Sequence, residues 1–277
     1  MDTRSQGPQI EAAATAIRSA DALLIGAGAG MGVDSGLPDF RGPEGFWKAY
    51  PPFRGRLFSE LSTPHWFQTD PELAWGFFGH RMNLYRDAVP HQGFEILRRW
   101  AGGRPLGGFV YTSNVDGQFQ KAGFRASEVV EVHGSIHYLQ CSRGCSQGIW
   151  PADGVRVEVD EVAIRARSAL PLCNGCGAVA RPNILMFGDG QWDPTRTFEQ
   201  GTRYASWRKR VTGQRVVAVE LGAGLAIPTV RHECEKRGQV LVRINPRDAQ
   251  TPPRGISLEM GALEALRAID AVLQSEG

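Results

Sequence analysis

Four of the five cysteines fall into two close pairs, Cys141-x3-Cys145 and Cys173-x2-Cys176, with 27 residues between the pairs. Two short knuckles that each offer two thiolates complete a tetrahedral shell for Zn²⁺, and a shell closed by four protein ligands makes the metal structural, not catalytic. Gly144 and Gly175 stand just before the second thiol of each pair, where a tight turn helps both sulfurs point inward. A redox pair fits less well, because the second pair does not open an obvious helix after a strand. Without a secretory leader, paired cysteines point to metal more than to disulfides. Cys234, in HECEKR on an expected helix, reads as a packing or surface residue.

A second stretch with chemical potential is GAGAGMGVDSGLPDFRG, residues 26–42. A buried strand, then glycines, then a helix is the arrangement that binds a nucleotide pyrophosphate. The strict GxGxxG spacing is absent, and no acidic residue about 20 positions on is an obvious ribose partner. A glycine-rich turn made for close packing therefore stays open. The tail Leu37-Pro38-Asp39-Phe40-Arg41 is rigid, then charged and aromatic, which is unusual for a phosphate loop.

The elements that must position these residues read as α/β. Helical periodicity covers 9–19, and the apolar run ADALLIGAG reads as a buried strand entering a tight turn. Further strand-like runs occur at 108–112, 128–132, 183–187, 215–221 and 239–244, and later helices at 227–237 and 261–274. Several runs are apolar on both faces, so an open, mostly parallel sheet covered by helices is expected. Residues 43–103 contain no convincing strand, although Asp70-Pro71-Glu72 opens a good helix there. Residues 138–180 hold the paired cysteines and few core residues. The 277 residues carry 31 basic and 29 acidic side chains for a net charge of +2. That leaves no basic footprint for nucleic acid. No run is long and apolar enough for a membrane span. The polar N-terminus lacks the apolar core of a secretory signal, so a cytoplasmic protein is expected.

Five segments, in order over residues 22–246, resemble the sirtuin family of NAD-dependent protein deacylases. Gly28 to Arg41 is similar to GAGxSxxSGIPDFR, and Thr112-Ser113-Asn114-Val115-Asp116 to TQNID, with Ala122-Gly123 at the family spacing. Glu131-Val132-His133-Gly134-Ser135 is similar to ExHGS. The cysteine quartet is followed by Arg181 to Asp189, similar to RPxVVxFGE. Leu221-Gly222-Ala223-Gly224-Leu225 with Pro228 is similar to GTSLxVxP, and Ile244-Asn245-Pro246 follows. The chain looks like a divergent, bacterial-type member. The resemblance implies a Rossmann-like NAD-binding domain (residues 1–42, 104–137 and 181–277), a helical insertion (43–103) and a zinc module (138–180).

It also implies roles. NAD is the co-substrate and Zn²⁺ the structural metal; the partners are acylated protein lysines. Gly28, Ala29, Gly30 and Gly32 approach NAD, and Asp39 and Arg41 order the loop around it. Phe40 covers the reacting sugar. Ser113, Asn114 and Asp116 line the nicotinamide pocket. His133 is the general base that deprotonates a ribose hydroxyl, a task suited to imidazole. Gly222, Ala223, Gly224 and Asn245 contact the adenosine half. The backbone around Ile184, Leu185, Phe187 and Gly188 pairs with the substrate peptide as an added strand. Taken alone, His133 reads more readily as a hydrogen-bonded core histidine; its place within VxHGS after the NxD stretch favours the base. Phe78-Gly79-His80-Arg81 resembles a Tyr-x-x-Arg that binds succinyl or malonyl lysine, but without the tyrosine hydroxyl; a structural or surface arginine is the plainer reading. Gly32, Ser113 and Ala223-Gly224 depart from the family's serine, glutamine and Thr-Ser. Protein mono-ADP-ribosylation or NAD hydrolysis on the same fold is the alternative activity, and a non-catalytic nucleotide-sensing module a third.

Overall fold

A computed structural model describes residues 6–39 and 42–275. The first helix, α1 (Gly7–Arg18), turns Ile10, Ala13, Ala14 and Ile17 inward, and β1 (Ala22–Ala27) is buried throughout. Then come α2 (Gly42–Ala49), α3 (Phe58–Leu61), α4 (Trp66–Thr69), α5 (Pro71–Asp87) and α6 (Gln92–Gly102). Helix α5 starts as the sequence predicts: Asp70 accepts the Leu73 N–H at 3.2 Å, and Pro71 occupies the first position. Next are β2 (Gly108–Thr112), α7 (Gln118–Lys121), β3 (Val129–Glu131), β4 (Gly134–Cys141), β5 (Ile149–Pro151), β6 (Val159–Asp160), β7 (Arg165–Ala166) and β8 (Ala180–Ile184). The chain closes with α8 (Thr195–Arg210), β9 (Val216–Leu221), α9 (Thr229–Arg237), β10 (Val240–Ile244), β11 (Ile256–Leu258) and α10 (Ala262–Ser275).

Six strands form one parallel sheet in the order β3-β2-β1-β9-β10-β11. Helices α1, α6 and α10 cover one face through Ile17, Leu97, Trp100 and Leu266; α8 and α9 cover the other through Tyr204, Trp207, Val230 and Cys234. Strand order reverses between β1 and β9. In open α/β sheets the crevice outside the carboxyl ends at such a reversal is where ligands bind.

The strand expected at 183–187 lies elsewhere. It spans 180–184 and runs antiparallel to β4 in a separate sheet, β5-β4-β8. All five of its residues are buried, the polar Arg181 and Asn183 among them, whereas the apolar Leu185 and Phe187 turn outward. Buried side-chain hydrogen bonds, invisible to a hydropathy pattern, decide the register here. A second core joins α2, α4 and α5 to this sheet through Phe46, Tyr50, Phe67, Trp75, Phe77 and Ile136. Trp75 Nε1 donates to the Ala180 carbonyl at 2.8 Å. Helix α6 sits instead with the main sheet, Phe94 and Trp100 lying in the core of β1 and α10. Among the described residues no helix is long and apolar enough to cross a membrane.

Candidate functional site

The loops after β1 and β9 interlock at the strand-order reversal. Gly28 N–H donates to Leu221 O at 3.0 Å and Gly30 N–H to Gly222 O at 3.1 Å. A Cβ on Gly28 would stand 2.6 Å from Ala223 Cα, and one on Gly30 2.7 Å from Gly222 Cα. Gly222 itself has φ +58°. Here glycine is required by loop-on-loop contact, the packing alternative left open above, and the two N–H groups are already used within the protein. Gly32 differs: a Cβ would meet only the Leu37 side chain, at 3.2 Å. Ala29 opens the 3-10 turn of residues 29–35, which ends on Gly36 in the left-handed region.

The adjacent strand ends bring in the polar residues. Asn114 Nδ2 donates to Gly28 O at 3.0 Å, and the Asn114 N–H is held by Thr112 Oγ1 at 3.0 Å. Ser113 N–H donates to Ala27 O at 3.1 Å. On the other side, Asn245 is fully buried, donates from Nδ2 to Ala223 O at 3.0 Å, and accepts the N–H groups of Arg247 and Asp248 at 3.1 Å each. Asp39 accepts from Arg247 Nη2 at 2.6 Å. Phe40 and Arg41 lie outside the described residues.

Asp116 is buried and its Oδ1 accepts the Gln118 N–H at 2.9 Å. Burial pushes its carboxyl up to about 6; the Gln118 hydrogen bond and the Arg81 charge oppose the rise, and the Glu131 charge adds to it. The His133 ring bonds to the backbone of Ser113, and burial holds its pKa below the usual histidine value. Asn114, Asp116 and His133 thus all lie at the carboxyl ends of β2 and β3. Gly134 follows His133 because β4 closes on β8 there: a Cβ would be 2.1 Å from Asn183 O, at φ +77°.

The four cysteine sulfurs lie within 4.8 Å of one another, with Cys141–Cys176 and Cys145–Cys173 each at 3.5 Å. Tetrahedral ligation at about 2.3 Å from a zinc ion spaces sulfurs roughly 3.8 Å apart, so the quartet is placed to bind a structural metal ion. Gly144 takes the turn conformation expected of it, φ +66°, but in the second knuckle Gly177 takes it (φ +71°), in place of Gly175.

A model of the Sir2 family matches residues 28–205. The chain belongs to the Sir2 family. It is 38% identical over 60% of its length to NAD-dependent protein deacylase 2 of Pyrobaculum aerophilum, and the match spans 58% of that relative. It is 32% identical to the NAD-dependent protein deacylase of Thermococcus kodakarensis, over 81% of this chain and 80% of the relative. Its fold is that of a solved Sir2 homolog–NAD complex, with TM-score 0.71 and 24% identity over 96% of this chain and 95% of the other.

In this Sir2-family chain the 184–188 segment is already engaged. Leu185 N–H donates to His133 O at 3.0 Å, Met186 N–H to Asp189 Oδ2 at 3.3 Å, and Phe187 N–H to Ser62 O at 2.9 Å. Arg181 and Asp189, both buried, pair beneath it, and Gly188 has φ +65°. Arg81 is buried rather than on the surface. Its guanidinium donates to the Tyr85 hydroxyl at 3.0 and 3.2 Å and lies 5.4–5.6 Å from the rings of Phe58, Phe77, Phe78 and Tyr85. The hydroxyl lacking at Phe78 is thus supplied two turns later, from Tyr85.

Several positioning residues escape a sequence reading. Glu131 is gripped by α8: Arg196 pairs with its carboxylate, Gln200 accepts its N–H at 2.9 Å, and Thr197 Oγ1 donates to its carbonyl at 3.1 Å. His137 shares a 2.8 Å hydrogen bond with the Asp116 carbonyl. Glu131 and α8 are more than sixty residues apart, so no local spacing announces the grip; the glutamate within ExHGS was its only trace.

Proposed function

We propose that the chain is an NAD-dependent protein lysine deacylase that transfers the acyl group to ADP-ribose and releases nicotinamide. The observation that carries the reading is the placement of Asn114, Asp116 and His133 just past the carboxyl ends of β2 and β3, with Asn114 bonded to the Gly28 carbonyl of the loop after β1. NAD supplies the electrophilic sugar carbon. Residues Ala29, Gly32, Ser113 and Asn114 bind it from one side; Ala223, Gly224 and Asn245 receive its adenosine half from the other. Asp116, part-protonated near neutral pH, offers either a donor or an acceptor to the nicotinamide carboxamide. His133, kept neutral by burial, accepts the proton of a ribose hydroxyl so that the hydroxyl attacks the acyl carbon. Phe40 and Arg41 complete the cover that excludes water. The acylated peptide lies along 184–188, using the carbonyls there and exchanging with the Ser62 contact. The zinc module and the helices α2 to α5 form the smaller lobe, while α6 packs on the main sheet, and the reduced thiols suit a cytoplasmic setting.

Incubation with NAD and a panel of acetyl- and succinyl-lysine peptides, with products identified by mass spectrometry, tests the reading. O-acyl-ADP-ribose is expected. Free ADP-ribose or ADP-ribosylated protein without deacylation would replace it with the alternative activity. Preference for succinyl peptides that Arg81→Met abolishes would assign Arg81 to the acyl chain; equal loss on both peptides would leave it a structural residue.

A further inference from the structure

A layer of buried charge lies under the loops on the adenosine side. Glu220 and Arg243 are register partners on β9 and β10, joined at 2.7 and 2.8 Å, and both are fully buried. Arg243 also reaches Glu235 of α9 at 2.7 Å. Arg231, one turn earlier in α9, is 6% exposed and stands 3.8 Å from Glu220. Two guanidinium groups against two carboxylates leave the layer neutral, so no further anion is demanded.

Arg231 directs its hydrogen bonds at main chain. Nη1 donates to Asp248 O at 2.9 Å and, more weakly, to Ala223 O at 3.4 Å; Nη2 donates to Gln250 O at 3.3 Å. The Ala223 carbonyl is the same acceptor that Asn245 uses. One side chain on α9 therefore ties the loop after β9 to the loop after β10. Ala223 and Gly224 have no polar side chain, so their order must come from such main-chain contacts. Buried ion pairs add little net stability compared with apolar packing. Their best use is to fix one arrangement of the groups around them.

We propose that Arg231 is a positioning residue for NAD: through the carbonyls of Ala223, Asp248 and Gln250 it fixes the two loops that receive the adenosine half, and so governs affinity for the dinucleotide more than the rate of acyl transfer. The proposal rests on the adenosine assignment of Gly222–Gly224 and Asn245 made above.

The test compares Arg231→Lys, which keeps the charge and loses the fork, with Arg231→Met and Asn245→Ala. Losing the carbonyl contacts of the guanidinium fork raises the KM for NAD roughly tenfold or more. The kcat at saturating NAD should stay within about twofold, a small fraction of the tenfold that 1.4 kcal/mol represents. ADP-ribose affinity, measured by calorimetry, should fall in parallel, and inhibition by nicotinamide should not move. Arg231→Lys guards against misfolding of Arg231→Met, and its melting curve should match the parent's. An unchanged NAD KM in both Arg231 variants, with a raised KM in Asn245→Ala, would overturn the role of Arg231 alone. An unchanged KM in all three would overturn the adenosine assignment with it. A fall in kcat without a KM change would make Arg231 a general structural residue.

Discussion

Arg247 donates to the Asp39 carboxylate at 2.6 Å, although 208 residues separate the two. Asp39 follows β1 and Arg247 follows β10, with β9 lying between those strands in the sheet. The pair therefore links the loops on the two sides of the crevice mouth. Its side chains are 59% and 20% exposed, so it adds under about 1 kcal/mol to stability. Arg247→Gln should leave thermal melting unchanged and weaken NAD binding by about threefold at low salt, with the difference shrinking at high salt. Calorimetric titration at two ionic strengths checks this; equal affinities for variant and parent would remove the pair from any role in binding.

The glycines of the first loop should separate cleanly. Gly28→Ala and Gly30→Ala each drive a Cβ to within 2.6–2.7 Å of loop backbone, an overpacking that costs about 1–3 kcal/mol. Both should lose NAD binding at least tenfold as the interlocked loops part. Gly32→Ala meets only the tip and base of Leu37, and its melting temperature should shift by less than about 3 °C, as expected for under 1 kcal/mol. Melting curves and NAD titrations on the three variants decide it. A Gly32 variant as damaged as Gly30→Ala would mean that the loop itself, not its partner, imposes glycine.

The same loop marks the limit of what the sequence could tell. Strand β1, its glycine turn, the parallel sheet and the cysteine quartet are local patterns and were legible. Which glycines face protein and which face ligand depends on residues 222–223, almost two hundred positions away. The grip on Glu131, the Arg231 contacts and the placement of Arg81 among aromatic rings likewise depend on pairings between distant segments. The expected 183–187 strand failed for a related reason: hydropathy favoured Leu185 to Phe187, while the buried bonds of Arg181 and Asn183 set the real strand at 180–184.

Metal content gives an independent check on the small lobe. Purified protein should carry about one zinc per chain, the stoichiometry of a four-thiolate site. Cys173→Ser should lose it. The loss of a few kcal/mol should lower the melting temperature by at least about 5 °C, at roughly 2–4 °C per kcal/mol. Elemental analysis and calorimetry are the measurements. Full stability in a zinc-free Cys173→Ser variant would refute a structural metal.

Stability should fall on the acid side of neutrality. Burial lowers the pKa of His80, His91, His133 and His137. The unfolded chain binds protons at these sites near the ordinary value of about 6.5, whereas the folded chain binds them only at lower pH. More protons on the unfolded state means that stability is complete above that value and declines as pH drops below it. Asp116 acts in the opposite sense. Its folded pKa of about 6, raised from 3.8, favours the folded state as pH falls between those values, and it offsets part of one histidine's loss. Asp70, held low by its hydrogen bond with Arg165, adds to the loss only in the carboxylate range. Melting temperature in excess zinc should be level between about pH 7 and 8 and drop between about 6.5 and 5. A rise over that interval would contradict the burial of the histidines.

The pH dependence of turnover should follow His133 in particular. A base works only while unprotonated, and burial holds the His133 pKa below its usual value. The acid limb of kcat/KM should therefore fall below about pH 6.5, with activity level through neutrality. His133→Ala should reduce deacylation by about 10²–10⁴-fold. In the proposed reaction nicotinamide departs before the step that needs the base, so exchange of labelled nicotinamide into NAD should persist in that variant, provided acylated peptide is present. Loss of exchange together with deacylation would move His133 from proton transfer to the assembly of the nicotinamide pocket, through its bond to Ser113. Full retention of deacylation would transfer the base role to another group.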